Sequence, residues 1–323
     1  MNYIDIFKQL IEAEIKKTNG DKDFIDTLFS KISEGVIGIA KALSLQEVDN
    51  ATLKSYFETA KKQFLSVNPI DPGLSHSLTK KDFTTWLTSE RNKNITWDYS
   101  KRYFKHLENS GRSLKVVKET KDSSFSIMSK MADPKSKSPI YNKGLVVGAV
   151  QSGKTGNFNA VINRAIDSGY EIIIVLSGIM EDLRRQTQKR IEKDVIGEGK
   201  LDTGEALGKK GVGFIERFGI LGGSNIIQVK SLTSESKDFS KAVKELDHTL
   251  NDKYVLVCKK NVSVLKNLII WLHNSLENGK EKHNIPLLMI DDEADNASLN
   301  NMGAKGRNYA SKTNGHIRAI LEL

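Results

Sequence analysis

From Gly144 onward, short apolar runs rich in β-branched residues alternate with segments of helical spacing. The runs lie at 145–150, 171–176, 225–229, 254–258 and 286–290; helical stretches at 157–167, 180–193, 236–246 and 262–276 follow most of them. Strands that alternate with helices in this way pair side by side in one direction, because each helix carries the chain back across the sheet. The pattern predicts an α/β fold, a parallel sheet with helices on both faces. A Gly-rich, charged stretch at 196–224 interrupts it and reads as an excursion over the surface.

Before Gly144 the character is different. Residues 1–66 read as helical, with apolar residues recurring at Ile4, Phe7, Leu10, Ile11 and Ile15 and again at Phe24, Leu28, Ile32, Ile37 and Ile39. Residues 67–73, VNPIDPG, are a turn-rich break. A capped helix start is expected at 77–87, another helix at 97–107, and a polar linker at 122–138. The sequence therefore predicts a mostly helical N-terminal domain with a basic linker over 1–138, and the α/β domain over 139–323. The formal charge of +9 is unevenly spread, with −2 over residues 1–90 and +7 over 91–140. A basic band of this kind suits a polyanion such as nucleic acid, or simply a solvated Lys-rich linker.

Three clusters carry chemistry. Residues 148–155, GAVQSGKT, form a complete G-x-x-x-x-G-K-[ST] loop between an expected strand and an expected helix. That context turns backbone N–H groups and a helix N-terminus toward a polyphosphate. Gly148, Gln151, Ser152, Gly153, Lys154 and Thr155 are the candidate binding residues, with Lys154 on the β- and γ-phosphates and the Thr155 hydroxyl on Mg²⁺. The second cluster is Asp291-Asp292-Glu293-Ala294-Asp295, at the end of the apolar run 286–290. One acid there would hold Mg²⁺ and the next would take a proton from the attacking water. Asp292 is assigned to the metal, with Asp291 as the alternative, and Glu293 to the base. The third comprises Ser177 and Gly178 followed by a basic helix with Arg184, Arg185, Gln188 and Arg190, together with Lys259 and Lys260 after the run 254–258. These are candidate phosphate contacts for a nucleic acid; a solvated helix face is the plainer alternative.

Several classes are disfavoured. A lone Cys258 makes no disulfide within the chain, and the six histidines form no zinc-protease spacing. The start of the chain does not resemble a signal peptide, and its apolar runs are too short to cross a bilayer. A cytoplasmic setting is expected. A metal-nuclease constellation is weak: Glu119 and Lys121 follow the apolar pair Val116-Val117, with Asp98 as a distant partner. Trp86, Trp97 and Trp271 sit among apolar neighbours and read as core.

In order and spacing, GAVQSGKT, LSG with LRRQ, and DDEAD resemble the first RecA-like lobe of superfamily-two helicases. More closely, blocks at 144–155, 167–178, 183–190, 257–261 and 290–298 resemble the Z-one domain family, described as endonucleases attached to helicase-like ATPase cores. The resemblance covers roughly residue 97 to the end. It implies a RecA-like P-loop NTPase lobe that binds ATP and Mg²⁺ and acts on nucleic acid, with DNA as the expected polymer, in restriction or phage defence. It also implies that a second RecA-like lobe, on the same chain or on a partner subunit, completes the enzyme; the chain is expected to be a fragment that hydrolyses ATP weakly alone. A switch or assembly module without motor activity and a restriction-type endonuclease are the alternatives.

Overall fold

The computed structural model describes residues 2–17, 27–67, 79, 83–147, 154–200, 206–215, 228–243, 252–278, 281–282, 285–295, 298–300 and 311–323. Contacts divide the chain into two compact units, neither continuous in sequence. One holds Met1–Lys81, Leu107–Ser126 and Leu145–Asn157; the other holds Asp82–His106, Ile127–Gly144 and Phe158–Leu323. A single boundary after residue 138 does not describe this division, because two segments on its N-terminal side pack with the sheet.

The first unit is built on α1 (Tyr3–Lys17), α2 (Leu28–Ala42) and α3 (Asn50–Val67). Each turns one stripe inward: Ile6, Phe7 and Ile11 from α1, Leu28, Ile32, Val36 and Ala40 from α2, Leu53, Phe57, Ala60 and Phe64 from α3. These recur at intervals of three and four, as a helix with one buried face requires. Phe57 sits at the centre, 5.5 Å from the Phe7 ring and 5.3 Å from the Phe29 ring. The stripe on α2 differs from the expected one. Ile37 and Ile39 are exposed, while Val36 and Ala40 take the inward places in step with Leu28 and Ile32.

Helices α4 (Ser89–Lys93), α5 (Asp98–Asn109) and α6 (Leu114–Met128) follow. No helix covers Phe83–Thr88; the helix starts at Ser89, where the Thr88 hydroxyl accepts the Arg91 N–H. Residues 77–78 and 80–82 lie outside the described part. The expected linker is helical as far as Met128, which is fully buried with Ala165 and Tyr170. Val116, Val117, Glu119 and Lys121 are all on α6. The strand premise of the nuclease constellation is therefore corrected to helix.

The second unit contains the sheet. Strands β1 (Ile172–Ser177), β4 (Val229–Ser231), β5 (Lys253–Lys259) and β8 (Leu287–Asp291) lie in the order β4-β5-β1-β8, and every pairing is parallel. Alternate residues of β1 and β5 face opposite ways, as the pleat dictates. Ile172, Ile174, Leu176, Leu256 and Cys258 pack with Leu265, Leu268, Trp271 and Leu272 of α9 (Val262–Leu276) and Ile317 and Ile320 of α10 (Lys312–Glu322). Ile173, Val175, Val255 and Val257 pack on the other side with Ile162 and Ile166 of α7 (Lys154–Ser168) and Ile191, at the end of α8 (Glu181–Ile191). An α/β unit with helices on both faces of a four-stranded parallel sheet is thus what the alternating sequence specifies.

After α8 the chain winds as a π-helix over Glu192–Ile196 and ends at Gly197, whose φ of 85° suits glycine. The π turn is held from two helices. Asn159 of α7 donates to the Asp194 carboxylate at 2.8 Å, Asn163 donates to the Asp194 carbonyl at 3.1 Å, and Arg102 of α5 donates to the Val195 carbonyl at 2.8 Å. A hairpin, β2 (Glu198–Lys200) with β3 (Ala206–Lys209), occupies part of the Gly-rich excursion. A second short pair is β6 (Glu277–Asn278) with β7 (Glu281–Lys282). The helix expected at 236–246 is absent from its described part, 236–243.

Beneath the first turn of α5, Asp167 accepts the N–H groups of Tyr99 and Ser100, both at 2.9 Å, and the Ser100 hydroxyl. Burial nevertheless pushes its carboxyl up to about 6; the hydrogen bonds from Ser100 and Tyr99 pull the other way, and nearby Asp98 adds to the rise. A carboxyl whose folded pKa exceeds its unfolded one favours folding most when protonated. Its contribution is therefore full below about pH 4 and is lost as pH rises through about 6. The gap between the parent and an Asp167→Asn variant should shift by about 2 kcal/mol across that window, in the direction that disfavours the parent at higher pH. Urea unfolding followed by tryptophan fluorescence reads it, and a gap that does not move with pH refutes it.

Candidate functional site

The carboxyl ends of β5, β1 and β8 bring two of the three sequence clusters together. Ser177, last in β1, is in register with Lys259 of β5, and Leu176 is in register with Asp291 of β8. The Asp292 N–H continues the ladder to the Leu176 carbonyl at 2.9 Å, and the Lys260 N–H donates to the Gly178 carbonyl at 3.3 Å. Ser177, Lys259, Lys260 and the acidic turn therefore lie along one rim, as parallel strands ending in motif residues should place them.

Lys260 is the pivot of this rim. Its side chain is 0% exposed and lies 2.7 Å from an Asp291 carboxylate oxygen. Its ammonium donates to the carbonyls of Asp292 at 2.6 Å and Glu293 at 2.7 Å. The expectation that Lys260 contacts a nucleic acid is corrected, since a buried, fully engaged ammonium cannot reach a phosphate. Asp291, the alternative metal ligand, faces the same ammonium. The carboxylates of Asp292 and Glu293 take no hydrogen bond or ion pair among the described residues; Asp292 is partly exposed and Glu293 exposed. Hard carboxylate oxygens without a partner among the described residues are of the chemistry that Mg²⁺ accepts. Glu293 has a φ of 55°, in the left-handed region. Its carboxylate reaches over Gly178, where a Cβ would stand 3.2 Å from Glu293 Oε2 and 2.8 Å from Leu183 Cδ1. A side chain at Gly178 would crowd both, which is why glycine fits this turn.

The basic helix divides into two faces. Arg184 is 0% exposed, and its guanidinium donates to Glu181 through Nε at 2.9 Å and Nη2 at 2.8 Å, to the Ser234 carbonyl at 2.9 Å and to the Glu235 carbonyl at 2.7 Å. Gln188, equally buried, donates to Glu192, Ser231 and the Thr233 carbonyl, and accepts the Thr233 hydroxyl at 2.8 Å. Both were expected on a nucleic acid; both instead bind the loop after β4. Arg185 and Arg190 are exposed. Lys259 is 26% exposed and pairs with Glu181 at 2.8 Å. Glu181, which sequence reasoning passed over, thus bridges Arg184 and Lys259. Burial would raise its pKa, but hydrogen bonds from Arg184 and Lys259 and their charges hold it at about 2.

Of the phosphate loop, Gly148, Gln151, Ser152 and Gly153 lie outside the described residues, and α7 opens at Lys154 and Thr155. The expected buried strand at 145–150 is not found in its described part. Leu145, Val146 and Val147 form no strand and are 82%, 58% and 84% exposed. An apolar run becomes a strand only where a ladder partner receives it, and none of the described strands pairs with this one.

Comparison with protein-family models, with curated proteins and with solved structures finds no match to this chain. Among the described residues, no helix is long and apolar enough to cross a membrane.

Proposed function

We propose that the chain is the ATP-binding and hydrolysing lobe of a helicase-like, nucleic-acid-dependent ATPase of the DNA restriction or defence type, with a RecA-like fold. The observation that carries this reading is the acidic turn, whose Asp292 and Glu293 carboxylates have no partner among the described residues, at the carboxyl end of a parallel strand. It occurs in a chain that also holds a complete phosphate-loop sequence opening a helix. In this reading Lys154 binds the β- and γ-phosphates, Thr155 and Asp292 hold Mg²⁺, and Glu293 takes the proton of the attacking water. Mg²⁺ held there would supply charge neutralisation on the phosphates. Arg185 and Arg190, on the exposed face of α8, are the phosphate contacts left to a nucleic acid.

Calorimetric titration with ATP, with and without Mg²⁺, tests the reading directly. Lys154→Ala should weaken ATP binding ~10–100-fold, as loss of a charge-assisted hydrogen bond does. Equal affinity in parent and variant would remove the loop from the site.

A second reading, an ATP-dependent switch without motor activity, is favoured by one observation: Arg184, Gln188 and Lys260, three of the expected nucleic-acid contacts, are engaged internally. Turnover unaffected by added DNA or RNA, with nucleotide-dependent association to a partner, would favour it over the first.

A further inference from the structure

Lys260 holds more than one element. Its ammonium donates to the Asp292 and Glu293 carbonyls and pairs by charge with Asp291. Its N–H holds the Gly178 carbonyl, so one residue ties the turn after β1 to the turn after β8. Glu293, in the second turn, has the left-handed backbone that side-chain-bearing residues rarely adopt. Such a conformation persists only where its surroundings over-determine it. Here the grip on two successive carbonyls does so, because freeing the Glu293 carbonyl would let the peptide rotate toward an ordinary φ and carry the carboxylate off Gly178.

We infer that Lys260 is a positioning residue: it turns Asp291 away from metal duty and sets the turn that presents Asp292 and Glu293. This rests on the roles given to those two acids under Proposed function. Lys260 touches no reacting atom and acts only through the backbone of its neighbours and the charge of Asp291. A methionine would fill the space without donating. A glutamine would keep N–H donors for the two carbonyls but not the charge.

The experiment compares the parent chain with Lys260→Met and Lys260→Gln, measuring ATP turnover and amide hydrogen exchange at residues 292–295. Lys260→Met should lower kcat ~100-fold, the scale of a misplaced reacting group, while KM for ATP stays within ~3-fold. Lys260→Gln should recover part of the loss. A residue that merely supports the fold would lower melting temperature without this split in the folded protein, so unchanged kcat in folded Lys260→Met overturns the inference while leaving the nucleotide reading intact. If the parent chain neither binds nor hydrolyses ATP, the nucleotide reading falls, and exchange decides the rest. Amides of the turn exchanging ~10-fold faster in Lys260→Met support the clamp, and unchanged exchange in that variant refutes it.

Discussion

Arg184→Met should destabilise the sheet-bearing unit by about 3 kcal/mol, whereas Arg185→Met, one residue on, should change stability by less than about 0.5 kcal/mol. The difference follows from exposure and partners. The Arg184 guanidinium is wholly buried and supplies Glu181 and the carbonyls of Ser234 and Glu235. Arg185 is 52% exposed and lies 3.5 Å from Glu181. Removing the first leaves buried acceptors without donors; removing the second returns a solvated charge to water. All three tryptophans, Trp86, Trp97 and Trp271, belong to the sheet-bearing unit, so tryptophan fluorescence during urea unfolding reports it alone. A midpoint shift of similar size for both variants would show that Arg184 is not the anchor described.

Glu293→Gln should abolish most hydrolysis, by ~10²–10⁴-fold, while ATP affinity changes little. The substitution preserves side-chain size and leaves the left-handed backbone in place, so it removes the proposed proton acceptor and not the turn. Single-turnover hydrolysis measured beside equilibrium binding separates the two. If affinity falls together with the rate, Glu293 is a ligand-binding group, and the general-base role passes to another residue. The same measurement on Asp292→Asn should instead raise the Mg²⁺ concentration needed for binding.

Much of the sheet was legible because β1, β5 and β8 are apolar on both faces, and such runs have no other use in a chain of this composition. Their observed bounds differ from the expected ones by about a residue. The fourth strand and the helix at 236–246 were harder to read. Helical spacing there competes with tertiary bonds, since Arg184 takes the carbonyls of Ser234 and Glu235 and holds the neighbouring chain as a loop. The expected linker at 122–138 looked polar, yet the burial of Met128 extends α6 into it. The run 145–150 has the composition of a strand, but composition cannot supply a pairing partner, and its described part, 145–147, has none among the described strands.

The site was legible as a set of motifs and not as a division of labour. Arg184 and Gln188 look like ligand contacts because they are long and polar. A signal to the contrary was present: Arg184, Thr187, Gln188 and Ile191 follow the i, i+3, i+4, i+7 spacing of a buried stripe, and all four are buried. Lys260 could not be told from Lys259 by spacing, because which neighbour turns inward at a strand end depends on the turn opposite. Glu181, Asp167, Asn159, Asn163 and Asp194 escaped notice for a related reason. Each satisfies a partner far along the chain, and no local pattern announces such a pairing.

The π turn after α8 inserts one residue more per turn than an α-helix would use, so the two stretches it joins are out of phase. Upstream, the polar stripe of Arg184 and Gln188 is aimed at the loop beyond β4; downstream, Val195 and Ile196 close on the sheet while Asp194 meets Asn159 and Asn163. In a continuous α-helix, losing a single residue would swing everything after it by about 100°, and these two sets of contacts could not both be kept. The fold is therefore more sensitive here to the length of the chain than to its chemistry: most substitutions at exposed Lys193 would pass, while an insertion or deletion beside it would not.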